Sequence, residues 1–189
     1  MADVERNRNA LRSQRLIKEA FCSLARERGT SRIPVTDICR KADINRATFY
    51  AHYESFDDLR DKLWQGYLDG LGDWLRSALQ RDFMDDPLPS LTCLGIYLLD
   101  NMPIFDAFME LSRHSRKDPE GGFGMSVRNV LLPVMGEMDQ ERLVRFDFIA
   151  SALVNTYFTW AIGAYKDYPL EELNRQMARY IRACGKPEA

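Results

Sequence analysis

The sequence predicts an all-α chain of about nine helices, and three observations carry that expectation. Almost every long stretch repeats its apolar residues with a period near 3.6, not 2. Glycine and proline are scattered or gathered in short breaks such as Asp85-Asp86-Pro87-Leu88-Pro89, and no alternating strand pattern is found. With 189 residues, 46% of them in the hydrophobic class, the chain can bury a real core. That length fits one domain with an appended module, or two small domains.

The first helix is predicted over residues 9–28, with Leu16, Ile17, Ala20, Phe21 and Leu24 on one stripe and Gly29 as its stop. The second, over 35–41, places Val35, Ile38, Cys39 and Ala42 at i, i+3, i+4, i+7. Asp43-Ile44-Asn45 then breaks the pattern. Aspartate is among the few non-glycine residues that tolerate the left-handed conformation of a tight turn. Asn45 is a good N-cap for a third helix. Ile44 before that cap and Phe49 at the fourth helical position form a hydrophobic staple. Phe49 and Tyr53 then point inward, while Arg46, Ala47 and Tyr50 point outward, with Thr48 and His52 on the flank. Two short helices joined by a tight turn, the second capped and exposing polar groups, spell a helix-turn-helix.

A long helix follows over about 56–83, carrying Leu59, Leu63, Trp64, Tyr67, Leu71, Trp74, Leu75 and Leu79. Beyond the break at 85–89, helices are expected near 88–100, 103–114, 122–138, 140–166 and 170–183. Pro103, the loop 118–122 and Pro169 separate them. The most apolar stretch, 148–165, is interrupted by Ser151, Asn155, Thr156 and Thr159 and is marginal in length for a membrane span. It reads as a helix buried on most sides, and no membrane partner is expected.

Charge is divided along the chain. Residues 1–53 hold eleven Lys and Arg against six Asp and Glu, whereas residues 54–189 hold fifteen against twenty-two. A basic head on an acidic body places any polyanion partner on the first third. The first twenty residues are charged throughout and lead into no apolar segment, so no secretory signal is read. Cys22, Cys39, Cys93 and Cys184 form no CxxC pair, and the only histidines are His52 and His114. No metal site, no disulfide framework and no cofactor is expected, and reduced thiols suit a cytoplasmic protein. Arg113 and His114 close a helix before a polar loop and read as C-terminal capping. The adjacent carboxylates Asp57-Asp58 and Asp85-Asp86 suit helix starts or loops, and no glycine-rich loop follows a strand. No catalytic constellation emerges, so the chain is not expected to be an enzyme.

The third helix carries the candidate chemistry. A helix in the major groove needs small or polar residues near its N-terminal end. Arg46 can pair bidentately with guanine O6 and N7, Ala47 leaves room for close approach to a thymine methyl, and Thr48, Tyr50 and His52 can donate to phosphates. Arg6, Arg8, Arg12 and Arg15 on the N-terminal arm can add salt-sensitive attraction.

On Ile17, Ala20, Phe21, Gly29, Ile38, Ala42, Ile44, Thr48-Phe49-Tyr50, His52-Tyr53 and Leu59, residues 12–59 resemble the DNA-binding domain of TetR/AcrR-type transcriptional regulators. The resemblance implies that Arg46 and Ala47 contact bases, that Tyr50 and His52 grip phosphate, and that Thr36 reaches bases or backbone. It implies a DNA-binding domain over 1–55 and an effector-binding and dimerisation domain over 56–189. It also implies a homodimer paired through the helices near 140–166 and 170–183, repressing at a palindromic operator in double-stranded DNA and controlled by a small apolar or aromatic effector. The body matches by architecture, most closely in 154–165 and 169–173. Candidate effector-lining residues are Trp74, Tyr97, Phe105, Phe108, Met109, Phe123, Tyr157 and Trp160. Three positions depart from the family: Phe56 stands where a phosphate-clamping lysine is usual, Pro34 where a hydroxyl residue is, and Asp43 where glycine is. Phe56, Glu54 and the acidic body motivate the alternative, a sensor or co-regulator of the same fold acting through protein partners with weak or no DNA binding.

Overall fold

The computed structural model describes residues 2–28, 33–80, 83–114, 123–161, 163–165 and 167–184; the side chains of 2–6, 109, 111–114 and 123–127 lie outside the description. Its described residues form eight helices and no strand: α1 (Ala2–Arg28), α2 (Val35–Lys41), α3 (Arg46–Tyr50), α4 (Phe56–Leu79), α5 (Leu88–His114), α6 (Phe123–Met135), α7 (Gln140–Ala161) and α8 (Leu170–Cys184). The all-α expectation holds, with one helix fewer than predicted. The predicted helices 88–100 and 103–114 are one. Pro103 lies inside α5 without ending it. A proline there removes one N–H, and the carbonyl it orphans belongs to Leu99. Both residues lie on the exposed side of the helix, where water can take that carbonyl.

Helix ends follow local chemistry. α1 starts earlier than predicted, because no glycine or proline precedes Gly29 and Asp3 and Glu5 suit an N-terminal turn. Gly29 itself lies outside the described residues. α2 ends in a Schellman arrangement: Ile44 N–H donates to the Cys39 carbonyl at 3.1 Å and Asp43 N–H to that of Arg40 at 3.4 Å, with Asp43 left-handed at φ 51°. α4 stops at Leu79, and Leu79, expected on the apolar stripe, is exposed. α6 stops at Met135 and not near 138, before Gly136 at φ 70°. α7 stops at Ala161 and not at 166. Gly163 adopts φ 78° and closes the helix through Gly163 N–H to Trp160 O and Ala164 N–H to Thr159 O.

The chain divides into two compact units, Met1–Tyr67 with Asn101–Pro119, and Leu68–Asp100 with Glu120–Ala189. In the first, Ile17, Ala20, Phe21, Leu24 and Ala25 of α1 bury against Ile38 and Cys39 of α2, Phe49 of α3 and Leu59 of α4. Rings extend this core: Phe21 lies 6.0 Å from Phe56 and 5.9 Å from Phe108, and Trp64 stacks on Tyr67 and Phe108. Ion pairs tie α1 to α2, with Asp37 taking Arg28 and Arg40 and Glu27 taking Lys41.

The second unit buries Leu71, Leu75, Leu91, Leu94, Leu131, Leu153, Tyr157, Leu173, Met177 and Ile181. Gly70 is needed at its place because a Cβ there would lie 2.5 Å from the Tyr97 hydroxyl. Asp139 caps α7 by accepting from Arg142 N–H at 2.8 Å. The Tyr157 hydroxyl donates to the buried Asn174 at 2.5 Å. α7 is not buried on most sides within the chain: Val144 and Phe148 are exposed. Among the described residues one segment, Leu88–Phe108, is long and apolar enough by composition to cross a membrane.

Candidate functional site

α3 is five residues long, too short to be stable alone, so its ends and its buried face hold it. Asn45 Oδ1 accepts from Thr48 N–H at 2.7 Å and from the Thr48 hydroxyl at 3.0 Å. Phe49 is fully buried and Tyr53 nearly so, while Arg46, Ala47 and Tyr50 are exposed, Tyr50 by 47%. The two faces of the helix therefore separate as the spacing predicts. Thr48 differs from its expected role: its hydroxyl proton goes to the cap. His52 lies in the turn after α3, half-buried, its ring 6.2 Å from that of Tyr53. Thr36 is exposed on α2, one residue from Asp37.

The charges of this region are largely held in place. Asp37 sits below the usual carboxylate range, first because Arg28 hydrogen-bonds to it, and Glu27 likewise because of Lys41. Arg28, Arg40 and Lys41 are thereby neutralised within the unit. Arg46 is different, since its partner is the uncharged Tyr50. The guanidinium keeps its full charge, held slightly more firmly by that phenol.

The acids after α3 form a cap. Ser55 Oγ accepts from Asp58 N–H at 3.1 Å, and Asp58 Oδ2 accepts from Glu54 N–H at 2.9 Å, one residue before the cap at the start of α4. Lys62 Nζ reaches Asp58 at 2.9 Å and the His52 carbonyl at 3.4 Å, and lies 5.6 Å from the centre of the Tyr53 ring. One lysine thus fastens the end of the α3 turn to α4. Sequence reasoning missed it; the i, i+4 pair Asp58–Lys62 was the available signal. Phe56 is 5% exposed and packs on Phe21, so it belongs to the core and not to an outer surface.

The predicted effector-lining residues whose side chains are described fall in both units. Phe105 and Phe108 join the ring cluster of the first unit. In the second, Trp74 donates to the Ser90 carbonyl at 2.6 Å and meets Phe83 edge-on, Tyr97 covers Gly70, Tyr157 binds Asn174, and Trp160 donates to the Tyr168 carbonyl at 2.9 Å. Desolvation pushes the Tyr97 phenol up to about 12 and raises that of Tyr157 as well, so both stay protonated at neutral pH. The side chains of Met109, Phe123, Arg113 and His114 lie outside the described residues. Among the described residues no three His, Cys, Asp or Glu side chains come together as a metal site.

An open apolar groove of about 900 Å³ runs between α7 and α8, lined by Phe148, Ala152, Thr156, Leu173, Met177 and Tyr180 among others. Phe148 and Tyr180 are each more than 60% exposed beside it. Comparison with protein-family models, with curated proteins and with solved structures returns no match.

Proposed function

We propose that this chain is a DNA-binding transcriptional regulator of the TetR type, in which α2 and α3 act as the helix-turn-helix. The observation that carries the reading is the division of α3: Phe49 fixes it to a basic head, and Arg46, Ala47 and Tyr50 are exposed on the opposite face. Arg46 would read guanine, Ala47 would admit the base edge, and Tyr50, His52 and Thr36 would contact the sugar–phosphate backbone. The exposed Arg8, Arg12 and Arg15 of α1 would add sequence-independent attraction.

Two further parts belong to the reading. A second copy would cover the apolar groove of α7 and α8, where Phe148 and Tyr180 stand exposed, and a two-fold pair matches a palindromic operator. A small apolar or aromatic effector would bind in the body and alter operator affinity through α4, the helix that follows the DNA-binding segment in the chain. As a repressor of transcription, the protein would work in the cytoplasm.

Selection of bound fragments from a random duplex library at low salt tests the reading. The expected outcome is a palindromic consensus whose binding weakens linearly with the logarithm of salt concentration. Binding without any consensus, or none at all, would favour a regulator acting through protein partners. The pairing of Arg28, Arg40 and Lys41 with acids supports that second reading, since it removes cations from the head.

A further inference from the structure

Arg46 and Tyr50 lie one helical turn apart on the exposed face of α3, and they touch in two ways. Nη2 of Arg46 donates to the Tyr50 hydroxyl at 3.3 Å, and the guanidinium carbon lies 5.7 Å from the centre of the Tyr50 ring. The ring is itself fixed, edge-on to Phe49 with centroids 5.5 Å apart and planes at 88°, and Phe49 is fully buried. Contact therefore runs from the core through one phenol to the guanidinium.

That arrangement bears on recognition. An exposed arginine samples many rotamers, and ordering it on binding costs conformational entropy. A guanidinium already held loses less when a base edge meets it. Of its five N–H donors one goes to the phenol, leaving four for bidentate contact with guanine O6 and N7. The phenol accepts from Arg46 and so keeps its own proton for a phosphate oxygen.

We propose that Tyr50 is a positioning residue for base readout, its ring and hydroxyl holding the Arg46 guanidinium in the pose that reads a guanine. The inference rests on the DNA-binding reading above, and it assigns to Tyr50 more than a grip on phosphate. It also makes the pair a single unit of recognition.

The test is a double-mutant cycle on DNA: wild type, Tyr50→Phe, Arg46→Ala and the double variant. Each is titrated with the best duplex from the random library, with versions of it in which each G·C pair is replaced in turn, and with a scrambled duplex at the same salt. Tyr50→Phe keeps the ring on Phe49, and a melting curve verifies that the fold is unchanged. The expected result is a loss of about threefold to tenfold on the selected duplex. That loss shrinks to the smaller part owed to the phosphate contact when the guanine read by Arg46 is replaced, in the Arg46→Ala background, and on the scrambled duplex. An equal loss on every duplex, additive with Arg46→Ala, overturns the inference while leaving DNA binding intact. A wild type that binds the selected and scrambled duplexes equally overturns both.

Discussion

Phe56 illustrates how a single residue changes meaning once its surroundings are known. In sequence it follows the candidate helix-turn-helix at a place where the resembling family carries a lysine. In the structure it faces the ring of Phe21, thirty-five positions earlier, and is almost fully buried. Installing lysine there would not restore a phosphate contact but would place an ammonium in an apolar site. Phe56→Lys is expected to destabilise the first unit by about 3 kcal/mol or more, and Phe56→Leu by less than about 1.5 kcal/mol, measured by urea unfolding. An unchanged midpoint for Phe56→Lys would mean that the side chain escapes to solvent and that the burial argument is wrong. Neighbouring features were legible because they are local: the Asn45 cap, the outward set Arg46, Ala47 and Tyr50, and the left-handed Asp43 depend on residues within one turn. The engagement of Thr48 with the cap was missed because a hydroxyl that can donate to phosphate can equally donate to Asn45.

Helices in this chain are held by ends and by ion pairs as much as by stripes. α3, with five residues, owes its first turn to Asn45, so Asn45→Ala is expected to cost about 1 kcal/mol and, on the proposed function, to weaken DNA binding through loss of α3 order. Amide exchange over residues 46–51 would report it, and unaltered protection there would refute it. The α1–α2 and α4 carboxylates Asp37, Glu27 and Asp58 all sit below their ordinary range, held chiefly by Arg28, Lys41 and Lys62. Carboxylates depressed in the folded state stabilise it fully above the unfolded value, near pH 4, and that contribution is lost as pH falls through the lower folded values. Acid unfolding should therefore begin below about pH 4 in the first unit, and Asp37→Asn should flatten that dependence. A pH–stability profile identical in the variant would remove Asp37 from the account. Element ends were the part of the fold least legible beforehand. Pro103 looked like a boundary because proline breaks interiors, yet an exposed carbonyl partner makes the break tolerable. Gly163 ends α7 in a left-handed conformation, a freedom that a sequence does not distinguish from small size.

Across the whole molecule, the eight helices form two units, and aromatic residues are spent on the cores of both. Phe108, Trp74 and Tyr157 carry the same signature in a sequence whether they line a pocket or fill a core, and each has a ring or a hydrogen-bond partner. On α7 the described residues leave Phe148 uncovered, and on the proposed function a second copy would cover it. Cysteine chemistry gives a direct test of what covers it. Cys22 and Cys39 are buried, and burial pushes the Cys22 thiol up to about 11, so both should resist a thiol reagent in the native protein at pH 8. Cys93 and Cys184 are exposed, but only Cys184 lines the groove. In a dilute monomer two thiols should react quickly. As protein concentration rises through the dimerisation range, the Cys184 rate should fall while the Cys93 rate stays constant, read site by site after alkylation. Phe148→Asp, which places a charge in the groove, should keep Cys184 reactive at every concentration and leave sedimentation monomeric. If sedimentation reports a dimer while Cys184 reacts at an unchanged rate, the second copy sits on another surface, and the pairing of α7 and α8 across a two-fold axis is wrong.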